Sequence, residues 1–84
     1  MFFKKFKEKQ KIKKAIKMTK QTKANAIRDL KSGVSEKEIE EMFINHYISE
    51  KDYCEIKDAI LSLKFIITTS DKTIEMLEQK LKEL

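Results

Sequence analysis

Residues 53–84 read YCEIKDA ILSLKFI ITTSDKT IEMLEQK LKEL when cut every seven positions. Tyr53, Ile60, Ile67, Ile74 and Leu81 open the blocks, and Ile56, Leu63, Ser70, Leu77 and Leu84 stand three places further on. The alternating steps of 3 and 4 run without error, and Ser70 is the one plainly polar member. Apolar residues at the first and fourth heptad positions form a narrow seam along one side of an α-helix. Ile at the first position with Leu at the fourth favours two parallel strands in a coiled coil. No Gly or Pro interrupts residues 50–84, so the pattern predicts one continuous helix about 50 Å long. Thr68-Thr69-Ser70-Asp71 is a competing signal that could end one helix and cap the next. The heptad phase crosses it unchanged, which favours continuity.

The seam fits two settings. Tyr53, Ile56, Ile60, Leu63, Ile67, Ile74, Leu77 and Leu81 can face a second copy or a helical partner, or they can form the core stripe of a bundle made with the chain's own helices. Residues 59–67 are apolar nearly all round, with Leu61 and Phe65 off the seam. That block predicts cover on two sides, from a partner and from the preceding helices.

Upstream, Val34-Ser35-Glu36-Lys37-Glu38-Ile39 is echoed fourteen residues later by Ile48-Ser49-Glu50-Lys51-Asp52-Tyr53. Each copy places Ser after an apolar residue and an acid three places beyond the Ser. Ser35 and Ser49 can therefore accept from the first free N–H groups of a helix, as N-caps. Glu38 has the spacing of a capping box, and the two apolar pairs have that of a hydrophobic staple. Two helix starts follow, near residues 36 and 50. The first of these helices shows Ile39, Met42, Phe43 and His46 on one face and ends within residues 45–47. This capped hairpin resembles short helical-hairpin modules of small bacterial and phage proteins, a likeness that capping alone explains. Gly33, the single glycine, suits the left-handed position that closes a preceding helix.

Residues 2–31 contain no breaker. Phe2, Phe6, Ile12, Ile16, Thr19, Ala26 and Leu30 share a broad stripe, interrupted at Lys9 and Lys23. The polar run 19–23 leaves open one long helix or two short ones. The same third carries twelve bases: Lys4, Lys5, Lys7, Lys9, Lys11, Lys13, Lys14, Lys17, Lys20, Lys23, Arg28 and Lys31. Only Glu8 and Asp29 oppose them, which leaves +10, while residues 32–84 carry seven Lys against twelve acids, or −5. A segment so charged attracts polyanions: phosphate backbones, anionic lipid or an acidic protein face. It could also be mere solvation, or fold against the chain's own acidic half.

The 84 residues fit a single small all-α domain, built as a basic N-terminal segment over 1–31 and a helical hairpin with its long heptad helix over 34–84. The assembly reads as a helical bundle or a coiled-coil dimer. One Gly and no Pro exclude β-sandwiches, barrels and collagen-like chains. One cysteine, Cys54, excludes an internal disulfide framework and suits a reducing, cytoplasmic setting. A lone Gly makes no phosphate loop. His46 and Cys54 have no second His or Cys to complete a metal site or triad. No enzyme activity, cofactor or metal is expected.

Three functional classes remain. The first is a regulatory or accessory protein, resembling small basic phage and plasmid proteins, that grips nucleic acid or a nucleoprotein through Lys4, Lys5, Lys7, Lys11, Lys13, Lys14, Lys17, Lys20, Lys23 and Arg28. The second is a pure protein–protein interaction or inhibitor protein, oligomeric through the seam. The third is an immunity-like protein at the inner-membrane surface, where Phe2, Phe3 and Phe6 enter the headgroup boundary while Lys meets anionic lipid.

Overall fold

The computed structural model describes residues 2–84, with side chains from Phe3 onward. Three helices occur in chain order: α1, Phe2–Ser32; α2, Glu36–Ile44; and α3, Glu50–Glu83. The fold is all-α, and its two long helices pack together.

Both capped starts fall where the serines place them. Ser35 and Ser49 are extended, at φ −72° and −74°, and each side-chain oxygen accepts a backbone N–H three residues on, from Glu38 and Asp52, at 3.2 Å. The Ser35 hydroxyl in turn donates to the Glu38 carboxylate at 3.2 Å, a variant of the capping box in which the acid accepts from the hydroxyl rather than from the Ser35 backbone N–H. Glu36 and Glu38 in the first turn of α2, and Glu50 and Asp52 in that of α3, meet the positive end of each helix dipole.

Neither suspected break occurs. α1 runs through residues 19–23, where the hydroxyls of Thr19 and Thr22 are satisfied within the helix by the carbonyls of Ala15 and Met18, at 2.8 and 3.0 Å, and so do not compete with its backbone bonds. α3 runs through residues 68–71 in the same way, with Thr68 donating to the Lys64 carbonyl at 3.1 Å and Thr69 to that of Phe65 at 2.8 Å. The expectation for Gly33 is corrected: its φ is not positive. Its N–H still bonds the Asp29 carbonyl at 3.2 Å, a last helical bond of α1. The left-handed residue is His46, at φ 61°. It stands just after the cap Asn45, and the N–H groups of His46 and Tyr47 bond the carbonyls of Phe43 and Met42 at 3.1 and 2.8 Å. That is a Schellman closure with His where Gly is usual. His46 therefore lies past the end of α2, exposed, and not on its packed face.

α1 and α2 lie one after the other along α3, antiparallel to it. Glu8, Lys11 and Ile12 adjoin Lys80 and Leu84. Lys23 pairs with Asp71, Leu30 and Val34 line one hollow with Ile60 and Leu63, and Glu40 meets Tyr53 and Lys57. The molecule is thus a two-armed rod of 65 × 17 × 17 Å, with its tight bend at residues 45–49 and its first arm interrupted at residues 33–35. The thin core is Ile12, Ile16, Ala26, Ile39 and Ile60, with Ser70 buried among them. Among the described residues, no buried side-chain nitrogen or oxygen lacks a partner.

The heptad seam of α3 is filled from within the chain. Ile60 and Ser70 are buried, and Tyr53, Ile56, Leu63, Ile67, Ile74, Leu77 and Leu81 are half-buried against α1 and α2. On α1 the facing residues Ile12, Ile16, Thr19, Lys23, Ala26 and Leu30 step by 4, 3, 4, 3 and 4, a matching heptad. Leu61 and Phe65 do not receive the cover their composition predicted. They point outward, 55% and 68% exposed, because α1 and α2 occupy the same side of α3 in succession and leave its back bare.

Candidate polyanion interface on α1

α1 buries one stripe on α3 and presents the rest of its circumference to solvent. Of the twelve bases, Lys23 alone is half-buried; the other eleven are exposed. Helical geometry sorts most of them into two rows. Lys4, Lys7, Lys11 and Lys14 step by 3, 4 and 3 along one flank. Lys13, Lys17, Lys20, Arg28 and Lys31 follow the other flank, over about 27 Å of helix axis. Both flanks adjoin the buried stripe, so packing on α3 fixes their orientation without covering them.

The acidic half does not neutralise these rows. Among the described residues, Lys23 is the one base of α1 that pairs across to α3, through Asp71. Arg28 meets only its neighbour Asp29, at 3.9 Å. The acids gather instead at the far end of the rod. Glu36 binds Lys64 there, and Glu40 accepts from the Tyr53 hydroxyl at 2.6 Å and from Lys57 at 3.0 Å. These two hydrogen bonds, Tyr53 first, hold the Glu40 carboxyl below its ordinary range, and the same Tyr53 and Glu40 partners push the Lys57 ammonium up. The rod is therefore electrically polar, with a basic arm over α1 and an acidic bend.

The remaining candidates separate. The seam residues of α3 form the intramolecular interface. Phe3 and Phe6 lie at the start of α1, ahead of the stretch where Leu84 adjoins Glu8–Ile12, and are 77% and 53% exposed. The contact expected of Phe2 falls on a side chain outside the described residues. Cys54 is exposed. Among the described residues, no three His, Cys, Asp or Glu side chains gather as a metal site, and no helix is long and apolar enough to cross a membrane. The sequence reading missed the polar cluster of Glu40, Tyr53 and Lys57; its clue was a Tyr at a seam position with Lys four residues later. Comparisons with family models, with curated proteins and with solved structures return no match.

Proposed function

We propose that the protein is a non-enzymatic accessory protein that lays α1 along the phosphate backbone of a nucleic acid. The observation that carries this reading is the exposure of eleven bases, of which, among the described residues, only Arg28 meets an acid, on one continuous helix whose apolar stripe is already committed to α3. An amphipathic helix lying in a lipid surface needs its apolar face free, and here that face is packed on α3; among the described residues the large apolar side chains that α1 exposes are Phe3, Phe6 and Met18, which form no continuous stripe. A helix meeting phosphates needs only its charged flanks. The positive end of the α1 dipole lies beside Lys4, Lys5 and Lys7 and adds to the attraction. The acidic bend is repelled from phosphate, which orients the rod with α1 on the polyanion and the bend turned away.

Lysine ammoniums are point charges, and Arg28 is the sole Arg in the chain. Binding then rests on counterion release and reads little sequence. The test is titration of unrelated duplexes, and separately of anionic vesicles, across a salt series. Duplex binding that weakens steeply with salt and varies little with sequence supports the reading. Vesicle binding that persists in salt, with no duplex binding at low salt, overturns it.

A further inference from the structure

The back of α3 carries a second, outward stripe. Cys54, Asp58, Leu61, Phe65, Lys72 and Met76 lie on one face, with Thr68 and Thr69 completing the step between Phe65 and Lys72. Every one of the six is exposed, including Leu61 at 55%, Phe65 at 68% and Met76 at 72%. Between residues 59 and 70 the only charge is Lys64, and it is turned to Glu36 on α2. The outer face of a two-stranded helical hairpin is ordinarily its most charged surface. A neutral, aromatic-centred stretch there is a surface built to be covered.

The stripe is complementary to itself. When a second α3 runs antiparallel across it about a two-fold axis at Phe65, each residue meets the one whose number completes 130. Phe65 then faces Phe65, Leu61 faces Thr69 with Thr68 beside it, Asp58 faces Lys72, and Cys54 faces Met76. Each heterologous pair occurs twice, as an isologous interface requires. Among the described residues, Asp58 and Lys72 join no ion pair within the chain, so each is available to the other's copy. The charges that would clash in a parallel arrangement, Asp58 on Asp58 and Lys72 on Lys72, instead bracket an apolar centre with two opposite-sign pairs.

We propose that two copies of this chain associate antiparallel through the outer stripe of α3, centred on Phe65, with α1 of each copy on the outside. The interface runs from Cys54 to Met76, about 33 Å along the helix, by about the 10 Å width of a helix. That is small for a specific interface, so the dimer is a weak and reversible one whose population rises with concentration. The pairing uses none of the α1 bases and is independent of what α1 binds.

Sedimentation velocity over a wide concentration range, joined to oxidative cross-linking, tests the arrangement. Phe65→Cys in a Cys54→Ser background puts thiols on the two-fold axis and is expected to give a covalent dimer on mild oxidation. Met76→Cys beside the native Cys54 is expected to do the same, and the double variant Cys54→Ser, Met76→Cys is not. Asp58→Lys is expected to weaken dimerisation about tenfold or more through like charges, and adding Lys72→Asp is expected to restore it. All these positions are exposed, and unchanged helical circular dichroism confirms that each variant is folded. A wild type that stays monomeric at every concentration overturns the proposal. So does a cross-link that forms as readily at Gln21→Cys, on the outer side of α1, as at Phe65→Cys, both in the Cys54→Ser background.

Discussion

The Tyr53 hydroxyl donates a 2.6 Å hydrogen bond to the Glu40 carboxylate, and Lys57 reaches both, at 2.9 Å and 3.0 Å. Phe43 stacks on the Tyr53 ring with centroids 4.4 Å apart. α2 has nine residues, too few to persist alone. Ile39 beneath it and this polar clasp beside it are what hold it to α3.

The clasp makes acid stability depend on Glu40. Its folded-state pKa is lowered below 4.5 by Tyr53 first and Lys57 second. The stabilisation is therefore complete above the ordinary carboxylate range and is lost as pH falls through the depressed folded value. Lys57 is shifted upward, so its share survives neutral pH and is lost only in strong alkali. Melting temperatures of the wild type and of Glu40→Gln should differ at pH 7 and converge toward pH 2. Tyr53→Phe should keep the stack on Phe43 but lose the hydroxyl bond, and so shrink the same difference.

The bend offers a change that should stabilise. His46 holds φ 61°, a conformation that costs an L-residue with a Cβ about 1 kcal/mol and costs Gly nothing. His46→Gly should raise stability by about that amount in urea unfolding. Gly33, whose φ is not positive, should tolerate Ala: an added Cβ would sit 3.4 Å from the Asp29 carbonyl oxygen, at the edge of ordinary contact. A His46→Gly variant less stable than the wild type would remove the left-handed assignment.

Ser35→Ala and Ser49→Ala should each cost about 1 kcal/mol, because each removes a cap acceptor from a solvent-exposed helix start. The two sites are on different helices, so the losses should add in the double variant, as thermal or urea unfolding would show.

The core is thin, so one residue weighs heavily. Ile60 is among five buried apolar side chains. Ile60→Ala should cost about 2–5 kcal/mol, and Ile60→Asp should unfold the chain by leaving a carboxylate without a partner. Because the seam is intramolecular, both effects should be independent of protein concentration, which separates them from effects at Phe65.

Much of this was legible in the chain. The serine caps were, because the Ser-to-acid spacing acts within one turn. The continuity of α3 was, because a heptad phase carried across Thr68–Asp71 has no other simple cause. What fills the seam was not. On α1 the matching heptad contains Thr19 and Lys23, which read as interruptions. Lys23 belongs to the seam only because Asp71 stands opposite it in the folded chain, and no local pattern announces a partner so far away. The helix ends misled in another way: the sole glycine drew the left-handed assignment at the end of α1, whereas the left-handed residue is His46 at the end of α2. The basic rows of α1 were visible from composition, but their exposure was not, since a fold against the acidic half would have paired them.

The last prediction concerns those rows. Lys11, Lys13, Lys14 and Lys17 straddle the buried pair Ile12 and Ile16, two on each flank, and all four are exposed. Their replacement by Gln removes four charges and leaves the stripe intact, and Gln has nearly the helix propensity of Lys. Folding should therefore survive. It should even gain slightly, because these lysines, three and four places apart on the helix, repel one another. If the rows neutralise phosphates, affinity for duplex should fall sharply. The slope of log K against log salt should flatten by up to about 0.9 for each phosphate that is no longer neutralised. The weakening should be alike for unrelated sequences, since lysines on phosphate position the protein and do not read bases. Phe3→Ser with Phe6→Ser should leave that binding unchanged, whereas attachment to anionic vesicles would depend on those two rings. An unaltered salt slope in the four-lysine variant would show that the rows do not touch phosphate, and would leave an acidic protein surface as the counterpart of α1.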